Sequence, residues 1–561
     1  MHQPDTTPRR SIYFDYRVFP AAPPARGDAA SAPVVVVGAG PIGLVLALDL
    51  ARRGVRVVVL EAQQQVSEGS RAIVFTRRSM EILQQVGADR AVTRRGLPWR
   101  FGTSYYRGQP VFRMEAPQDP HDRFHPMINL QQQVLEAELV ELAAQQPHLD
   151  LRWGHRVTAV RSDDDGATLE IDTPQGPYAQ RAGWVVACDG ARSALRQLQG
   201  LKLEGDSYEG RFVIADIRIE LPLPTERLAF FDPPWNPGNT VLMHREPMDI
   251  WRIDYQLPAG ETPEQALAPA SLKARIDAQL ASIGFGDRRW EMDWASVYSA
   301  RALTLPDYVH GRVIYCGDAA HLLPIFGVRG ANTGFQDAQN LGWKLAEVAL
   351  GRAPQALLAS YSHERVAAAR EICAEAGKST RFMTPPTAGF RLLRDATLSL
   401  ALTQPFVRPL LHWRTSRPHE YAHSPLNAAG DDSGLFGDGP APGAVARSVA
   451  LGGDRYLLDE LDGRGFTLLW FGDAPVPVEL AAVAEDWRGR GPGLQIRAVP
   501  AATADGQAWA RYGVRQAGAA YLLRPDQHVC ARWIQLTPDR LQAALQRAHG
   551  MDAAPGTAPG L

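Results

Sequence analysis

Cysteine is scarce in this sequence of 561 residues, which contains four: Cys188, Cys316, Cys373 and Cys530. They lie far apart, and none belongs to a Cys-x-x-Cys pair or to a spacing typical of metal ligands. These spacings argue against a disulfide framework, a metal site and a redox-active cysteine pair. A reducing compartment, the cytoplasm, is therefore the expected location.

The sequence also lacks an excess of charge of either sign. Lysine and arginine total 59 and the acidic residues total 61, so no basic surface for nucleic acid or for an anionic membrane is indicated. Small neutral partners fit this balance better. The chain is longer than one ordinary hydrophobic core requires, and two or three domains are expected.

No apolar run is long enough to span a membrane without interruption. The longest candidate, residues 34–51, contains three glycines together with Pro41 and Asp49, whereas a membrane helix needs about 20 predominantly apolar residues. Arg9 and Arg10 resemble the start of a twin-arginine export signal, but prolines and charged residues follow where an apolar segment of roughly 7–15 residues is required. We therefore expect neither a membrane segment nor an export signal.

What the sequence does contain is a strand, a glycine turn, a helix and a second strand in succession. The turn carries Gly38, Gly40, Pro41 and Gly43, and the second strand ends at Glu61. In such a unit the glycines let the backbone approach a pyrophosphate at the positive start of the helix, and the acidic residue accepts hydrogen bonds from ribose hydroxyls. Glu61 predicts an unphosphorylated ribose, as in FAD or NAD. The alternative is a packed βαβ unit without a ligand.

Two further strands are predicted to end in glycine turns. The apolar run 183–188 leads into Asp189-Gly190-Ala-Arg192-Ser193, and the run 311–316 leads into Gly317-Asp318-Ala-Ala-His321 and a glycine-rich loop that opens a long helix. A carboxylate at the end of a buried strand needs hydroxyl or amide donors to offset its desolvation. Both segments are therefore candidate ligand sites, and a helix N-cap is the alternative role of Asp318.

Together, the three motifs in this order resemble those of the class A flavoprotein aromatic hydroxylases, the single-component FAD monooxygenases typified by p-hydroxybenzoate hydroxylase. The resemblance covers nearly the whole chain, because residues 521–529 are similar to the closing segment of the thioredoxin-like domain in the phenol hydroxylase and 3-(3-hydroxyphenyl)propionate hydroxylase branch. It implies an α/β fold with a Rossmann-like FAD-binding βαβ domain interleaved with a mainly β substrate domain, followed by a C-terminal thioredoxin-like α/β domain.

The resemblance and the composition together predict the division of the chain. Residues 427–443 are rich in glycine, proline and aspartate and are predicted to be a linker. The predicted segments are an N-terminal arm, 1–30; an FAD-binding domain, 31–97, 130–204 and 311–426, the last with a helical region; a substrate domain, 98–129 and 205–310; the linker; a thioredoxin-like domain, 444–550; and a tail, 551–561.

The resemblance also implies which residues bind the cofactor. They are Gly38, Gly40, Pro41, Gly43, Glu61, Arg71, Gln132, Asp189, Gly190, Arg192, Gly317, Asp318, Pro324, Gly330, Ala331 and Asn332. In this assignment Asp318 binds the ribityl chain of FAD, and the segment from Asp189 to Arg192 serves both FAD and a transient nicotinamide cofactor. The alternative for Gln132 is an exposed helix residue. Arg71 and Arg78 are predicted near the nucleotide-binding edge, with ordinary solvated arginines as the alternative.

The chemistry that the resemblance implies is hydroxylation of a small aromatic substrate. NADH or NADPH would reduce FAD, O2 would form a flavin C4a-hydroperoxide, and oxygen would pass to a phenolic or related ring. Candidate groups near the substrate are His244, Arg245, Arg252, Tyr255 and Tyr298. The sequence alone does not show which face of a strand is turned toward the flavin, so the catalytic residues stay unassigned. A homodimer is possible.

Other classes of protein remain open on the sequence alone. A nicotinamide-dependent dehydrogenase would use the first motif but would leave the other two unexplained. Another FAD-dependent oxidoreductase or a non-catalytic flavin-binding regulator would share all three motifs. A halogenase would need a Trp-x-Trp-x-Ile-Pro stretch, and none occurs.

Arg329 is a departure from the family pattern, which usually has glutamine at this position. It lies in Gly327-Val-Arg329-Gly330-Ala-Asn332, at the predicted start of a helix. A guanidinium here would stabilise an anionic reduced flavin or bind a substrate carboxylate. The alternative is a solvent-facing arginine paired with a nearby acid.

Overall fold

The structure is a computed structural model that describes residues 2–258, 260–324, 326–410, 417–428 and 433–551. Residues 429–432 of the predicted linker and residues 552–561 of the predicted tail lie outside the described residues. Among the described residues, no helix combines the length and the apolar character needed to cross a membrane.

The helices and strands fall in the following order along the chain. The strands are β1 (Ser31–Val37), β2 (Val57–Glu61), β3 (Val74–Thr76), β4 (Leu97–Trp99), β5 (Phe101–Tyr106), β6 (Gln109–Glu115), β7 (Met127–Asn129), β8 (Leu149–Trp153), β9 (Arg156–Asp163), β10 (Gly166–Asp172), β11 (Tyr178–Ala187), β12 (Glu204–Arg218), β13 (Arg227–Phe231), β14 (Thr240–Arg245), β15 (Ile250–Gln256), β16 (Glu291–Thr304), β17 (Val309–His310), β18 (Val313–Tyr315), β19 (His321–Leu322), β20 (Ala450–Gly452), β21 (Arg455–Tyr456), β22 (Phe466–Phe471), β23 (Leu494–Val499), β24 (Ala519–Leu523) and β25 (Val529–Trp533). The α-helices are α1 (Pro41–Arg52), α2 (Arg77–Gln85), α3 (Asp89–Arg95), α4 (Gln132–Ala144), α5 (Ala194–Leu198), α6 (Pro263–Ala266), α7 (Pro269–Ser282), α8 (Gly330–Ala349), α9 (Ala359–Met383), α10 (Ala388–Ala401), α11 (Val478–Trp487), α12 (Gln507–Arg511) and α13 (Pro538–Ala548).

The first sheet is built around β1. Its main path has the order β17-β18-β11-β1-β2-β8, with β10 and β9 attached beyond β11. The strands β11, β1, β2 and β8 are parallel, and so is the pair β11 and β18. The four valines of residues 34–37 are buried, which suits a strand covered on both faces. The predicted Rossmann-like unit is confirmed, and the three motifs follow strands that lie side by side.

The second sheet is mainly antiparallel and carries the order β19-β16-β12-β15-β14-β13-β5-β6. The helix α7 packs on one of its faces through Leu272, Ile276 and Leu280. We call the opposite face the inner face. The apolar spacing predicts one helix over residues 265–280, but the structure has two, because Pro269 begins a new helix.

The C-terminal strands form a separate sheet in the order β23-β22-β24-β25. The pair β22 and β23 is parallel, whereas β24 runs antiparallel to both β22 and β25. Thr537 caps α13, since its side chain accepts a hydrogen bond from the backbone N–H of Arg540 at 3.3 Å. In the described part of the predicted linker, Phe436 is fully buried with its ring 5.1 Å from that of Tyr521, so this part packs onto the C-terminal sheet.

Candidate active site

The glycine turn after β1 has a different role for each of its glycines. A Cβ on Gly38, which has a φ of +107°, would overlap the carbonyl oxygen of Cys188, and a Cβ on Gly43 would overlap that of Gly38. A Cβ on Gly40 would meet no heavy atom of the described residues within 4 Å. Gly38 and Gly43 therefore permit close packing, while the open space at Gly40 is available to a ligand at the start of α1, where Pro41 is the first residue.

Glu61 lies at the end of β2 beside this turn. Its Oε2 accepts a hydrogen bond from the backbone N–H of Ala39 at 2.8 Å, and its Oε1 accepts one from that of Gln63 at 2.8 Å. Burial raises the pKa of the Glu61 carboxyl, although these hydrogen bonds and the charge of Arg9 act in the opposite direction. The carboxylate is thus fixed at the position where the sequence predicts a ribose.

Asp189 follows β11, directly alongside the first turn. Its Oδ2 accepts a hydrogen bond from the backbone N–H of Leu195 at 3.1 Å, while Oδ1 is buried without a hydrogen-bond partner among the described residues. Burial raises the pKa of this carboxyl. Gly190 adopts a φ of +79° and Arg192 is exposed. An unpartnered oxygen here is the expected mark of a site that receives a donor from a ligand.

The third motif packs directly against α1. A Cβ on Gly317 would contact Ile42 at 3.3 Å, so the third motif lies beside the start of α1. We call the region along the three motifs the cofactor cleft. Asp318 is exposed at the surface, although the protein around its carboxyl group still desolvates it. This desolvation raises the pKa of Asp318, and the charges of His321 and Arg71 oppose the shift. Arg71 and Asp318, far apart in sequence, therefore lie near enough for their charges to interact.

Gln132 positions the loop that carries Arg71. Its backbone N–H donates to Ser70 Oγ at 2.8 Å and its Oε1 accepts from the backbone N–H of Ala72 at 3.1 Å. It is half-buried, and Arg71 itself is exposed. The exposed-helix alternative for Gln132 is therefore wrong.

The helix α8 begins in the glycine-rich loop that the sequence singles out. The side chain of Asn332 accepts from the Thr76 N–H at 2.9 Å and donates to the carbonyl oxygens of Val74, at 2.9 Å, and Val328, at 2.7 Å. It therefore anchors this loop to β3, which leaves the backbone N–H groups of the helix start to face a ligand. Gly330 and Ala331, at the start of the helix, are half-buried, whereas Pro324 is buried.

The two arginines for which the sequence left two alternatives, Arg78 and Arg329, are both buried. Arg78 is buried and donates to Gln527 Oε1 at 2.8 Å and to the carbonyl oxygen of Asp526 at 2.8 Å. Its predicted position near the nucleotide-binding edge is wrong, because α2 turns it toward the C-terminal unit. Arg329 is 6% exposed and its Nε donates to the Phe326 carbonyl oxygen at 3.2 Å. The solvent-facing alternative for Arg329 is therefore also wrong.

The inner face of the second sheet approaches the edge of the first sheet that carries the three motifs, which we call the cofactor edge. The strand register shows on which face of the sheet each candidate substrate-binding group lies, since alternate residues point to opposite faces. Tyr255 belongs to the core beneath α7, and Arg245 pairs with Trp251 of that same core. His244, Arg252 and Tyr298 lie on the inner face.

Three cross-strand rows cover the inner face. The polar row contains Arg227, His244, Arg252 and Asp216. The middle row contains Ala229, Leu242, Asp254 and Ile214. The aromatic row contains Phe231, Thr240, Gln256, Phe212 and Tyr298. Arg227, Asp216 and Asp254 escaped the sequence analysis. Asp216, Asp254 and Arg252 could have been found in the sequence, because each is a polar residue at an alternate position of an otherwise apolar strand.

Arg252 joins the polar row to the cofactor edge. Its Nε and Nη2 donate to the two carboxylate oxygens of Asp216 at 2.8 Å each. The same guanidinium also donates to the carbonyl oxygens of Ser70 and Arg71. Burial would lower the pKa of Arg252, but the charges of Asp216 and Glu246 outweigh it and raise the pKa. The sheet and the loop of Arg71 are therefore held together by one buried cation.

The comparison with known protein families decides what this edge holds. Residues 31–376 match the family described as "FAD binding domain". The chain belongs to this family. A relative from Mycolicibacterium smegmatis (strain ATCC 700084 / mc(2)155), named 3-(3-hydroxy-phenyl)propionate/3-hydroxycinnamic acid hydroxylase, is 30% identical over 465 residues, which cover 82% of this chain and 80% of the relative.

Further relatives extend the likeness to the C-terminal unit. The 6-methylpretetramide 4-monooxygenase of Streptomyces rimosus is 29% identical over 542 residues, 93% of this chain and 95% of that protein. The crystal structure of aklavinone-11 hydroxylase with FAD and aklavinone is similar with a TM-score of 0.74 and 25% identity, covering 92% of this chain and 99% of that one. The predicted membership of the class A FAD-dependent aromatic hydroxylases is confirmed.

The residues present at the cofactor edge fit FAD. The open space at Gly40 leaves room for a pyrophosphate, and the unpartnered Oδ1 of Asp189 lacks a donor that a ligand would supply. The three motifs converge on one cleft, as a single extended cofactor requires. This convergence accounts for the second and third motifs, which a dehydrogenase would leave unexplained.

The Asp318→Ala variant is expected to retain less FAD than the parent protein. The change removes a carboxylate that borders the cleft, and loss of a charged hydrogen bond to a ligand costs roughly tenfold or more in affinity. The measurement is the ratio of flavin to protein after gel filtration, followed by titration of the apoprotein with FAD. Arg488→Ala is the control, because Arg488 lies exposed on the C-terminal unit in a surface ion pair with Glu485. Equal flavin ratios for the two variants would remove Asp318 from the cofactor site.

Proposed function

We propose that this protein is a single-component monooxygenase that uses NADH or NADPH and O2 to hydroxylate a phenolic or related aromatic small molecule. The observation that carries the proposal is the junction at Arg252, where the inner face of the substrate sheet meets the loop of Arg71. A substrate on the inner face would lie next to the cofactor cleft. The relatives named as hydroxylases of aromatic compounds support this chemistry.

The predicted cofactor residues would divide FAD among them. Gly38, Gly40 and Gly43 would accommodate the pyrophosphate, Glu61 the adenosine ribose and Asp318 the ribityl chain. Asp189, Gly190 and Arg192 would border the same cofactor and the transient nicotinamide. When bound, FAD supplies the acceptance of hydride from NAD(P)H and the activation of O2.

The chain itself must orient the substrate and exclude water around it. The aromatic row provides an apolar wall, because the ring of Phe212 lies 5.8 Å from that of Tyr298 and 5.3 Å from that of Phe326. Trp99 lies beside the polar row, with its ring 6.4 Å from that of His244. Apolar groups of this kind beside the substrate would exclude water and so limit hydrolysis and side reactions of reactive species.

The C-terminal unit is proposed to be thioredoxin-like in fold and to have no redox role. The order β23-β22-β24-β25, with one parallel and two antiparallel pairs, supports this assignment. Cys530 is fully buried, and burial raises the pKa of its thiol to about 12. A thiol of this kind is a poor nucleophile, so the unit would serve packing or assembly, including a possible homodimer in the cytoplasm.

The direct test of the proposed function is a panel of aromatic compounds incubated with the FAD-loaded enzyme, NADH or NADPH, and O2. We expect at least one phenol to accelerate nicotinamide oxidation by roughly tenfold or more over the rate without substrate, with an equivalent amount of hydroxylated product. The panel contains phenol, 1-naphthol and 3-hydroxyphenylpropionate, with cyclohexanol as the non-aromatic control. Nicotinamide oxidation that forms only hydrogen peroxide with every compound would contradict the proposal.

A further inference from the structure

A carboxyl group on the inner face of the substrate sheet lacks a hydrogen-bond partner. Asp254, in the middle row, is 8% exposed, and its Oδ1 is buried with no hydrogen-bond partner among the described residues. A buried carboxyl oxygen without a partner costs free energy. An acid at this position is therefore best explained by a ligand that brings its own donor.

The neighbours of Asp254 describe the shape of that ligand. Leu242 and Ile214 flank it directly across the two neighbouring strands, and Ala229 follows beyond Leu242. All three are buried, and Ala229 and Leu242 share a core cluster with Leu398 and Ala401 of α10. The row continues to Ser104 beyond Ala229 and to Ser296 beyond Ile214. Small and aliphatic side chains around one carboxyl complement a flat ring that carries a hydroxyl group.

The middle row lies between two loops that flank the cofactor. On one side, the polar row is joined through Arg252 to the carbonyl oxygen of Arg71. On the other side, the aromatic row contacts the loop after Pro324 through the ring pair of Phe212 and Phe326. Both loops carry residues predicted to contact the flavin. The middle row therefore lies between the two parts of the inner face that contact these loops.

We propose that Asp254 binds and deprotonates the ring hydroxyl of the substrate, and that His244 donates a hydrogen bond to the same oxygen. This inference rests on the proposed function and names the groups that serve it. In the step, the O–H bond of the substrate breaks, a bond forms between the proton and Oδ1 of Asp254, and the electron pair stays on the phenolate oxygen. The phenolate ring is more electron-rich and accepts an electrophilic oxygen more readily.

His244 can act as a neutral hydrogen-bond donor to the substrate oxygen. It is 5% exposed, and its Nδ1 has no hydrogen-bond partner among the described residues. Burial lowers the pKa of the imidazole well below its usual value, and the charges of Arg227 and Arg252 lower it further. A neutral imidazole keeps one N–H to donate and does not compete with Asp254 for the proton.

The charges around Asp254 determine the pH range of this step. The groups that face it are Arg227 on β13, His244 on β14, Glu246 after β14, Arg252 on β15, Asp216 on β12 and Tyr298 on β16. Burial raises the pKa of Asp254 to about 7, with Arg252 and Arg227 opposing and Asp216 adding to the shift. Asp254 is therefore protonated below this pH and able to accept a proton above it.

The experiment compares the binding of phenols with that of their methyl ethers, which have no hydroxyl donor. Dissociation constants of phenol and anisole, and of 1-naphthol and 1-methoxynaphthalene, are measured on the FAD-loaded enzyme through flavin fluorescence at about pH 6 and about pH 8.5, where the free phenols remain neutral. We expect the preference for the hydroxyl compound to be roughly tenfold or more at the higher pH and to fall at the lower pH. In Asp254→Asn this pH dependence should disappear.

Tyr255→Phe is the matched control, because Tyr255 is the next residue of β15 and lies on the opposite face. It should keep the wild-type preference and its pH dependence.

A wild-type enzyme whose preference for the hydroxyl compound does not change with pH would overturn the inference, whether or not the variants fold. Hydroxylation of a phenol with the same pH profile in Asp254→Asn would also overturn it. Failure of every phenol to be hydroxylated, with the pH-dependent preference intact, would contradict the proposed function alone.

Discussion

Gly40→Ala is expected to lose FAD while its apoprotein remains as stable as the parent. The backbone of Gly40 has φ −70° and ψ 177°, which alanine adopts without strain, and an added Cβ meets no described heavy atom within 4 Å. The methyl group would occupy the space through which the backbone approaches the pyrophosphate. We expect the dissociation constant of FAD to rise by roughly 100-fold, about 2.7 kcal/mol. Flavin titration and thermal unfolding of the apoprotein provide the two measurements.

Gly43→Ala is the comparison that separates packing from ligand binding. Its Cβ would overlap the carbonyl oxygen of Gly38, so the apoprotein itself should lose stability. Gly40→Ala protein that binds FAD within about threefold of the parent would show that the pyrophosphate does not pass this turn. Equal loss of apoprotein stability in the two variants would show that the space at Gly40 is needed for folding.

Glu364→Gln is expected to destabilise the whole protein by about 3–5 kcal/mol, because it removes one charge from a buried cluster. Glu364, on α9, accepts from Lys344 Nζ at 2.6 Å and from Arg524 Nη1 at 2.6 Å and Nη2 at 3.1 Å. Arg524 also pairs with Asp526, and all four side chains are fully buried. The change would leave two cations with one anion in a site that joins α8 and α9 to the C-terminal unit.

The pH dependence of this effect has a defined sign. Burial alone would raise the pKa of Glu364, but the charges of Arg524 and Lys344 outweigh it and hold the pKa well below its usual value. The stability that Glu364 contributes is therefore present above its unfolded-state pKa, about 4.3, and is lost as the pH falls toward its folded-state pKa. The difference between parent and variant in urea unfolding should be largest near neutral pH.

Glu371→Gln on the same helix is the control, since Glu371 is 47% exposed in its ion pair with Arg417. Exposed pairs contribute about 0–1 kcal/mol, so this variant should unfold close to the parent. A Glu364→Gln protein no less stable than Glu371→Gln would mean that the buried cluster does not hold the two units together.

The cofactor motifs were predictable because each is a local arrangement. A buried strand, a glycine turn and a helix start are encoded within about ten residues, and the carboxyl ends of parallel strands meet at one edge of a sheet. The positions of Gly38, Glu61, Asp189 and Gly317 therefore follow from the sequence. Their neighbours across the cleft, such as Arg71 beside Asp318, depended on the family resemblance.

The substrate face was not predictable in the same way. Alternation along β14 and β15 separates His244, Arg252 and Asp254 from Arg245 and Tyr255, but either set could have faced the cofactor. The choice is made by α7, which comes later in the chain and covers the side of Tyr255. Which face of the strands is turned toward the cofactor depends on the packing of a helix later in the chain. The residue spacing within the strands therefore does not predict it.

The sequence by itself determined the βαβ unit, the order of the three motifs and the lack of a cysteine pair, because these depend on residue types a few positions apart. Only the tertiary structure decided that Arg78 and Glu364 reach the C-terminal unit and that Asp254 lies unpartnered on the inner face. The contacts of Arg78 and Glu364 join chain segments more than 100 residues apart. The surroundings of Asp254 come from neighbouring strands of one sheet and from what packs on it. In both cases burial and charge depend on every neighbour at once.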